Sequence, residues 1–380
     1  MNTLLFILSA VAYALLTVFI YFNYPVSWRK NHMFITLVLL WRAIGLSSVV
    51  IIFTAFNAIP YENVRYEITR LGSCYYITTT VQAILYLLRI IIRRIYLLIA
   101  KLAGKKVDPK KQRWITDKRT HAFVFILASF VIFGLGYFNI DFLQSTEYEV
   151  KIAAQSEEKE LKICLISDIH AGSGTWEYTY DDMAEMINAA DADVLLIAGD
   201  VFDETTGPRD VENLARAFEK IKQPRYGIYY VYGNHDNSVD DWSANRMREM
   251  GVTVLEDEMV IIGEDIQLIG HSDQKVSSKD MPTLYAECAP DPDKPIIILT
   301  HRPKGFQQMA DLGCDLVMVG HTHGFNIPQF MGANMLGDMY YGSKEYGGMT
   351  AITTSGISGW GFHYKWPAKS EVVTIRVTFE

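Results

Sequence analysis

The stretch Leu161-Lys-Ile-Cys-Leu-Ile-Ser-Asp-Ile-His170 decides the fold, because an apolar run in it ends abruptly in Asp168 and His170. Four further apolar runs end in the same way, each in a short polar cluster. These clusters are Gly199-Asp200, Gly233-Asn234-His235-Asp236, Thr300-His301 and Gly320-His321-Thr322-His323. Short apolar runs bounded by glycine and polar residues are typical of buried strands. We therefore expect every cluster to follow a strand.

Helix-like stretches separate the expected strands, at residues 181–190, 210–222 and 241–250. Alternating strands and helices predict an α/β fold with a sheet core. Loops at the carboxyl ends of such strands are held by the rigid sheet and open into a crevice. The five clusters are therefore expected to converge at one edge of the core.

The chemistry of the clusters points to metal binding. They supply carboxylate, amide and imidazole groups and no thiolate, a set that suits divalent Mn, Fe or Zn without choosing among them. A single Asp-x-His or Gly-Asp is common in proteins without any metal. The combination of all five clusters in this order indicates a site for two metal ions.

The first part of the chain has a different character from the rest. Four almost uncharged runs occupy residues 3–22, 33–59, 74–92 and 122–140. Each is near the ~20 apolar residues that cross a bilayer. We expect an integral membrane protein with a transmembrane region of about four helices at residues 1–140 and a catalytic domain at residues 145–380.

The side of the membrane on which the domain lies follows from the basic loop at residues 93–119. Its ten Lys and Arg residues predict that this loop stays in the cytoplasm. If all four runs span, the catalytic domain is extracytoplasmic. If only three span, the domain faces the cytoplasm instead.

Charge separates the two parts in the same way. The residues before Asp141 include 16 basic and 4 acidic ones, whereas 19 basic and 39 acidic residues lie from Asp141 onward. A domain with this excess of acidic residues is not expected to bind nucleic acids in general. Four scattered cysteines without a CxxC pair do not indicate a disulfide framework. The sequence does not indicate an oligomeric state.

The ordered motifs D-x-H, G-D, G-N-H-D, a single His and G-H-T-H resemble those of the calcineurin-like metallophosphoesterases. The hydrophobic N-terminal segments and the ending Thr354-Ser-Gly-Ile-Ser-Gly-Trp360 are similar to the bacterial membrane-anchored branch of that family. The resemblance covers about residues 161–380. It implies a four-layer αββα sandwich and a metal-dependent phosphoric ester hydrolase.

The resemblance also implies a ligand set. One metal would be held by Asp168, His170 and His323, and the other by Asn234, His301 and His321. Asp200 would bridge the two ions.

The same resemblance implies a mechanism. Two ions ~3.5–4 Å apart can clamp a phosphoryl group and lower the pKa of a bridging water, which gives a hydroxide nucleophile. His235 would then protonate the leaving oxygen. Asp236 would orient the His235 imidazole, as carboxylates do in other acid/base pairs.

Several residues depart from this pattern or stay open. The membrane-anchored branch usually continues G-H-T-H with Gly-Gly-Gln, whereas Phe325 and Asn326 follow Gly324 here, so the pocket wall and the substrate should differ. His363 either lines a pocket or caps the core. Arg302, beside His301, is a further candidate for binding phosphate.

The leading hypothesis is cleavage of a phosphodiester or pyrophosphate bond in a lipid-linked or envelope substrate. One alternative is a cytoplasm-facing pyrophosphatase of the UDP-diacylglucosamine type. Another is a catalytically silent scaffold of the same fold, although every motif is complete. A transporter whose pathway uses Arg42 and Arg89 rests on those two arginines alone.

Overall fold

The computed structural model describes residues 3–54, 62–104, 117–172, 177–236, 239–273, 276–277, 279–324, 337–360 and 362–380. The chain forms two compact units, Met1–Leu135 and Gly136–Glu380.

The first unit is helical. The helices that begin in it are α1 Thr3–Asn23, α2 Val26–Arg29, α3 His32–Thr54, α4 Glu62–Leu102 and α5 Lys118–Asp141. Among the described residues, α5 is the one helix long and apolar enough to cross a membrane, and shorter apolar stretches occupy Val11–Asn23 and His32–Ser48. At 1.5 Å per residue, the 24 residues of α5 form a helix longer than the ~30 Å of a bilayer core. The expectation of about four spans stays a prediction.

Arg42, on which the transporter interpretation depends, lies in this unit. It is 7% exposed, and its Nη1 donates to Oγ1 of Thr79. A buried arginine must be paired in this way to be tolerated. Its burial therefore has a structural explanation within the helical unit.

The second unit contains two six-stranded mixed sheets. The strands are β1 Gln144–Ile152, β2 Glu160–Ile166, β3 Val194–Ile197, β4 Ile228–Tyr230, β5 Thr253–Val254, β6 Glu258–Ile262, β7 Ile266–His271, β8 Ile296–Thr300, β9 Leu316–Val319, β10 Gly342–Tyr346, β11 Met349–Thr353 and β12 Glu371–Phe379. The helices are α6 Glu177–Ala190, α7 Pro208–Lys220, α8 Trp242–Glu249, α9 Met281–Cys288 and α10 Phe306–Asp311.

The order of the first sheet is β1-β12-β2-β3-β4-β5, and that of the second is β10-β11-β9-β8-β7-β6. Pairing is antiparallel between β12 and β2, β10 and β11, and β6 and β7, and parallel at the other junctions. The strands that lead into the site, β2, β3 and β4, are parallel neighbours, as are β8 and β9. Their carboxyl ends therefore point the same way within each sheet.

The two sheets pack face to face between layers of helix. Along β2, Ile163 and Leu165 belong to the core between the sheets, whereas Cys164 and Ile166 pack toward α6, α7 and α8. The outer face of the second sheet packs against α9 and α10. Because both faces of each central strand are buried, the strands read as continuous apolar runs. The expected four-layer αββα sandwich is confirmed.

The chain has four cysteines, Cys74, Cys164, Cys288 and Cys314. All four lie among the described residues, and all four have free thiols.

Candidate metal centre

The candidate ligands lie where strands of both sheets end. Asp168 and His170 follow β2, Asp200 follows β3 and Asn234 follows β4, all in the first sheet. The remaining three follow β8 and β9 in the second sheet, and they are His301, His321 and His323. The convergence expected from the sequence is what the structure shows.

The side chains form two buried groups. The first group is Asp168, His170 and His323, and the second is Asp200, His301 and His321; within each group, the potential ligand atoms all lie within 4.8 Å of one another. These two groups suggest two metal ions. Calcium or magnesium would favour an all-oxygen set, whereas imidazole with carboxylate suits Mn, Fe or Zn.

Asp200 lies between the groups. Its Oδ2 is 3.1 Å from Nε2 of His301 and 3.7 Å from Nε2 of His170. Oδ1 of Asn234 is 3.2 Å from the same His301 nitrogen, which brings the amide to the second group. The carboxylate of Asp200 thus reaches both groups, as a bridging ligand must.

The imidazoles of the first group converge on one oxygen of Asp168. Nε2 of His323 is 3.6 Å from Oδ1 of Asp168, and Nε2 of His170 is 3.9 Å from the same oxygen. These separations exceed a hydrogen bond. Because buried carboxylates are costly unless a positive charge compensates them, this arrangement fits a cation held between the three side chains.

Contacts behind the ligands set the orientation of three imidazoles. Nδ1 of His301 donates to the Ala198 carbonyl at 2.7 Å, and Nδ1 of His323 donates to the Ser358 carbonyl at 3.1 Å. Nδ1 of His170 lies 3.4 Å from Oδ2 of Asp203. With Nδ1 directed backward, Nε2 of each ring is left to face a metal.

The electrostatics of the centre follow from burial and close charges. Burial lowers the pKa of His323 to about 3, and burial together with His301 lowers the pKa of His321 to about 4. Both rings are therefore neutral near pH 7, the form that binds metals. Burial alone would lower the pKa of His301, but the carboxylate of Asp200 raises it to about 10.

The backbone is strained at the ligands. Five of the seven candidate ligands have positive φ angles: Asp168 (52°), His170 (45°), Asp200 (51°), His321 (74°) and His323 (49°). Each such residue costs ~1–3 kcal/mol unless its surroundings enforce it. The strands and their neighbours supply that enforcement, and strain of this kind clusters at functional sites.

Glycines allow the loops to meet at Asp168. A methyl group on Gly320 would lie 2.4 Å from Oδ2 of Asp168, and one on Gly356 would lie 2.6 Å from its Cβ. Gly356 also has a φ of 76°. Neither position accommodates a side chain without displacing the ligand.

His235 lies at the mouth of the centre. Its backbone N–H donates to Oδ1 of Asp200 at 2.7 Å, its ring centroid is 5.3 Å from that of His170, and its side chain is 16% exposed. Nδ1 of His235 is 3.2 Å from both carboxylate oxygens of Glu204, and the Trp360 ring lies 4.6 Å from the imidazole. The ring is therefore held from two sides.

This arrangement corrects the expected role of Asp236. Its carboxylate accepts the backbone N–H groups of Asp200 (2.8 Å), Phe202 (3.0 Å) and Gly233 (2.7 Å), so it fastens two ligand loops together. Burial and the charge of Asp200 raise its pKa to about 6. The carboxylate beside the His235 ring is instead that of Glu204, which belongs to none of the five sequence clusters.

Arg302 and His363, both considered from the sequence, have structural partners, and so does His271. Nε2 of His271 donates to the Lys279 carbonyl at 3.1 Å, and Arg302 pairs with Asp273 through its Nε. His363 is buried, with Nε2 2.9 Å from Oδ1 of Asp141, so of its two expected roles it fills the packing one. Phe325 lies outside the described residues.

Comparison with known proteins identifies the class. Residues 161–325 match the family model described as calcineurin-like phosphoesterase. The chain carries a calcineurin-like metallophosphoesterase domain and is a metal-dependent phosphoesterase.

Individual relatives agree with this assignment. An uncharacterized metallophosphoesterase of Helicobacter pylori strain J99 is 28% identical over 292 residues, which cover 72% of this chain and 76% of the relative. One from Campylobacter jejuni is 27% identical over 60% of this chain and 62% of its own length. A bovine protein described as a transmembrane protein with metallophosphoesterase domain is 28% identical over 57% of this chain and 52% of that protein. With the apolar helix α5, the transmembrane relative suggests membrane association.

Proposed function

We propose that this protein is a membrane-anchored, dinuclear-metal phosphoesterase that hydrolyses a phosphodiester or pyrophosphate bond. The observation that carries the proposal is the pair of buried ligand groups on either side of Asp200, with His235 at their mouth. Because all the chemical parts are present, a catalytically silent scaffold is the weaker interpretation.

The proposed ligands follow the two groups. Asp168, His170 and His323 would hold one ion, and His301, His321 and Asn234 would hold the other. Asp200 would contribute to both sites. When bound, two divalent ions would neutralise phosphoryl charge and activate a water molecule for attack on phosphorus.

His235 is the proposed proton donor for the leaving oxygen. Its Nδ1 faces Glu204, so Nε2 is the nitrogen left to carry the proton that is transferred. Glu204 keeps the ring in that orientation, and Trp360 limits its rotation on the other side. Proton transfer by a positioned histidine typically contributes 10²- to 10⁴-fold to a rate.

The proposed organisation is a transmembrane region at residues 1–140 followed by a catalytic domain at residues 145–380. The basic loop at residues 93–119 supports an extracytoplasmic domain. An anchor of this kind favours a substrate in the membrane or the envelope, and a lipid-linked phosphoester fits it. The metal is Mn, Fe or Zn.

The proposal is tested with the full chain purified in detergent and bis(p-nitrophenyl) phosphate as the substrate. We expect hydrolysis that is lost with a chelator and restored by Mn²⁺. His235→Ala should reduce turnover at least 100-fold when diphenyl phosphate, whose phenol leaving group needs a proton, is the substrate. His271→Gln, which changes a histidine outside both groups, is the matched control and keeps its activity. Hydrolysis that survives removal of the metals would overturn the proposal. The proposal would also be overturned if no hydrolysis occurred with Mn, Fe or Zn.

The side of the membrane is tested separately. Protease added to intact cells or spheroplasts should cleave the catalytic domain if it is extracytoplasmic. A domain that is protected until the membrane is broken would favour the cytoplasm-facing pyrophosphatase.

A further inference from the structure

The segment at residues 354–370, here called the C-terminal loop, connects β11 to β12 and touches the candidate metal centre. Within it, the Ser358 N–H donates to the Asp168 carbonyl at 3.0 Å, and the Ser358 carbonyl accepts from Nδ1 of His323 at 3.1 Å. The Trp360 ring lies 4.6 Å from the His235 ring, at a tilt of 35°. The first half of this loop is therefore part of the wall of the centre.

The second half of the C-terminal loop packs on the last turns of α5. The backbone N–H of Lys365 donates to the Gly136 carbonyl at 2.9 Å, and that of Ser370 donates to the Asn139 carbonyl at 3.0 Å. The approach is close, since a methyl group on Gly136 would lie 2.2 Å from the Tyr364 ring. All these residues belong to the second unit.

A buried lysine ties the two halves of the C-terminal loop together. Lys365 has no exposed surface, and its Nζ donates to the carbonyls of Gly356 at 2.8 Å and Ser358 at 3.1 Å. On the helix side, His363 contacts Asp141. The end of the apolar helix and the wall of the metal centre are thus parts of one packed structure.

Large aromatic side chains are exposed near the end of α5 and in the second half of the C-terminal loop. Phe138 is 56% exposed, Phe142 is 64% exposed and the two rings stack at 6.3 Å. Trp366 is 38% exposed, and it precedes Pro367, whose carbonyl accepts from Nδ2 of Asn139 at 3.4 Å. Aromatic side chains are enriched where a spanning helix leaves the hydrocarbon core.

We propose that Phe138, Phe142 and Trp366 form an interfacial surface that inserts into the lipid headgroup region of the membrane crossed by α5. This surface seats the C-terminal loop, and with it the metal centre, at the membrane surface. The inference rests on the proposed membrane-anchored function and deepens it, because the site would then act on phosphoesters presented at headgroup level.

The surface fits lipid for two reasons. Phe138 lies in the last turns of α5, a helix that is apolar and long enough to span a bilayer, and Phe142 follows its last residue. Exposed aromatic area of this kind is costly in water. Lys369, exposed three residues after Trp366, adds a positive charge suited to lipid phosphate. The partner is therefore a bilayer with anionic lipid.

The test measures the membrane depth of single nitroxide labels on the full chain in phosphatidylcholine–phosphatidylglycerol vesicles. Cys74 and Cys288 are first replaced by Ala, since Cys164 and Cys314 are buried. Labels are then placed by Trp366→Cys and Phe142→Cys. Ile261→Cys is the matched control, an apolar residue in β6 that is 49% exposed.

We expect labels at positions 366 and 142 to collide with oxygen more often than with a water-soluble nickel complex, and the label at position 261 to do the reverse. Equal nickel access at all three positions would overturn the proposal. Phe142→Cys keeps the test decisive if Trp366→Cys does not fold. Turnover of bis(p-nitrophenyl) phosphate by the same samples shows separately whether the phosphoesterase proposal itself holds.

Discussion

Nδ1 of His235 lies 3.2 Å from both carboxylate oxygens of Glu204, although the two residues follow different strands of the first sheet. Desolvation alone would raise the pKa of Glu204, but the hydrogen bond and the charge of His235 lower it to about 2. The carboxylate is therefore ionised at any physiological pH. It is the group that orients the proposed proton donor.

Glu204→Gln should lower kcat about 10-fold while KM changes little, because the ring keeps its position less well but phosphate binding is retained. The loss should be larger for diesters with poor leaving groups, such as phenol, than for p-nitrophenol, which needs little protonation. Steady-state kinetics on such a series checks this. Glu212→Gln, an exposed glutamate on α7, is the control, and equal losses on all leaving groups would contradict the assigned role.

Removal of single ligands should deplete the two sites unequally. His323→Ala should lower the bound metal from about two ions to about one per chain, and His301→Ala should do the same at the other site. Asp200→Ala should weaken both sites, because its carboxylate reaches both groups. Elemental analysis of the purified variants measures this, and full occupancy in Asp200→Ala would exclude the bridging role.

Gly356→Ala should impair the centre through packing. The new methyl group would lie 2.6 Å from Cβ of Asp168 at a φ of 76°, so the ligand must shift. We expect a loss of stability of about 2–4 kcal/mol and weaker metal binding. Gly342 has a φ of 96° but nothing within 4 Å of the methyl position. Gly342→Ala therefore measures the destabilisation caused by the backbone conformation alone, ~1–2 kcal/mol. Equal metal affinity in both variants would argue against the packing account.

Lys365 should make stability depend on pH. Burial lowers its pKa to about 7, whereas the unfolded chain keeps the proton up to its usual pKa near 10.5. Between pH 7 and 10 the unfolded state thus binds more protons, so stability rises with pH, by at most about 1.4 kcal/mol per unit.

Thermal unfolding at pH 7, 8 and 9 checks this dependence. Lys365→Met should remove the rise, although it also loses two hydrogen bonds and lowers stability overall. Lys369→Met changes an exposed lysine nearby and should keep the rise. An unaltered slope in Lys365→Met would show that other groups cause it.

The positions of the candidate ligands were predictable because the end of an apolar run marks both the end of a buried strand and the place where a ligand can follow. Ile163 to Ile166 are apolar on both faces, so the first polar residue after the run marks both the end of β2 and the edge of the crevice. The same holds at His301 after β8. Helix positions were also close, as with residues 181–190 against the observed Glu177–Ala190.

The contacts behind the ligands were not predictable in this way. Glu204 is an exposed glutamate in a turn, and its contact with His235 depends on how two loops are placed in space. Asp236 was expected to orient His235 as carboxylates do in other acid/base pairs, but its carboxylate accepts backbone N–H groups of the ligand loops instead. Ser358 contacts His323 through its backbone carbonyl, and every residue type has that group, so the sequence does not mark the position.

The N-terminal runs show another limit. Apolar composition marked residues 74–92, whereas helix α4 extends over Glu62–Leu102. Its polar first turns, with residues such as Arg65 and Arg70, are good helix formers even though they are not apolar. Hydropathy predicts contact with lipid, and helix length also depends on backbone propensity.

The position of β12 has a consequence for biosynthesis. This strand pairs with β1 on one side and β2 on the other, so residues 371–379 fill the gap between two strands made more than 200 residues earlier. During translation β1 and β2 emerge first. Their edges stay unpaired until residues 371–379 leave the ribosome. We therefore expect the nascent domain to depend on chaperones over that interval, and the first sheet to close as a late event of synthesis.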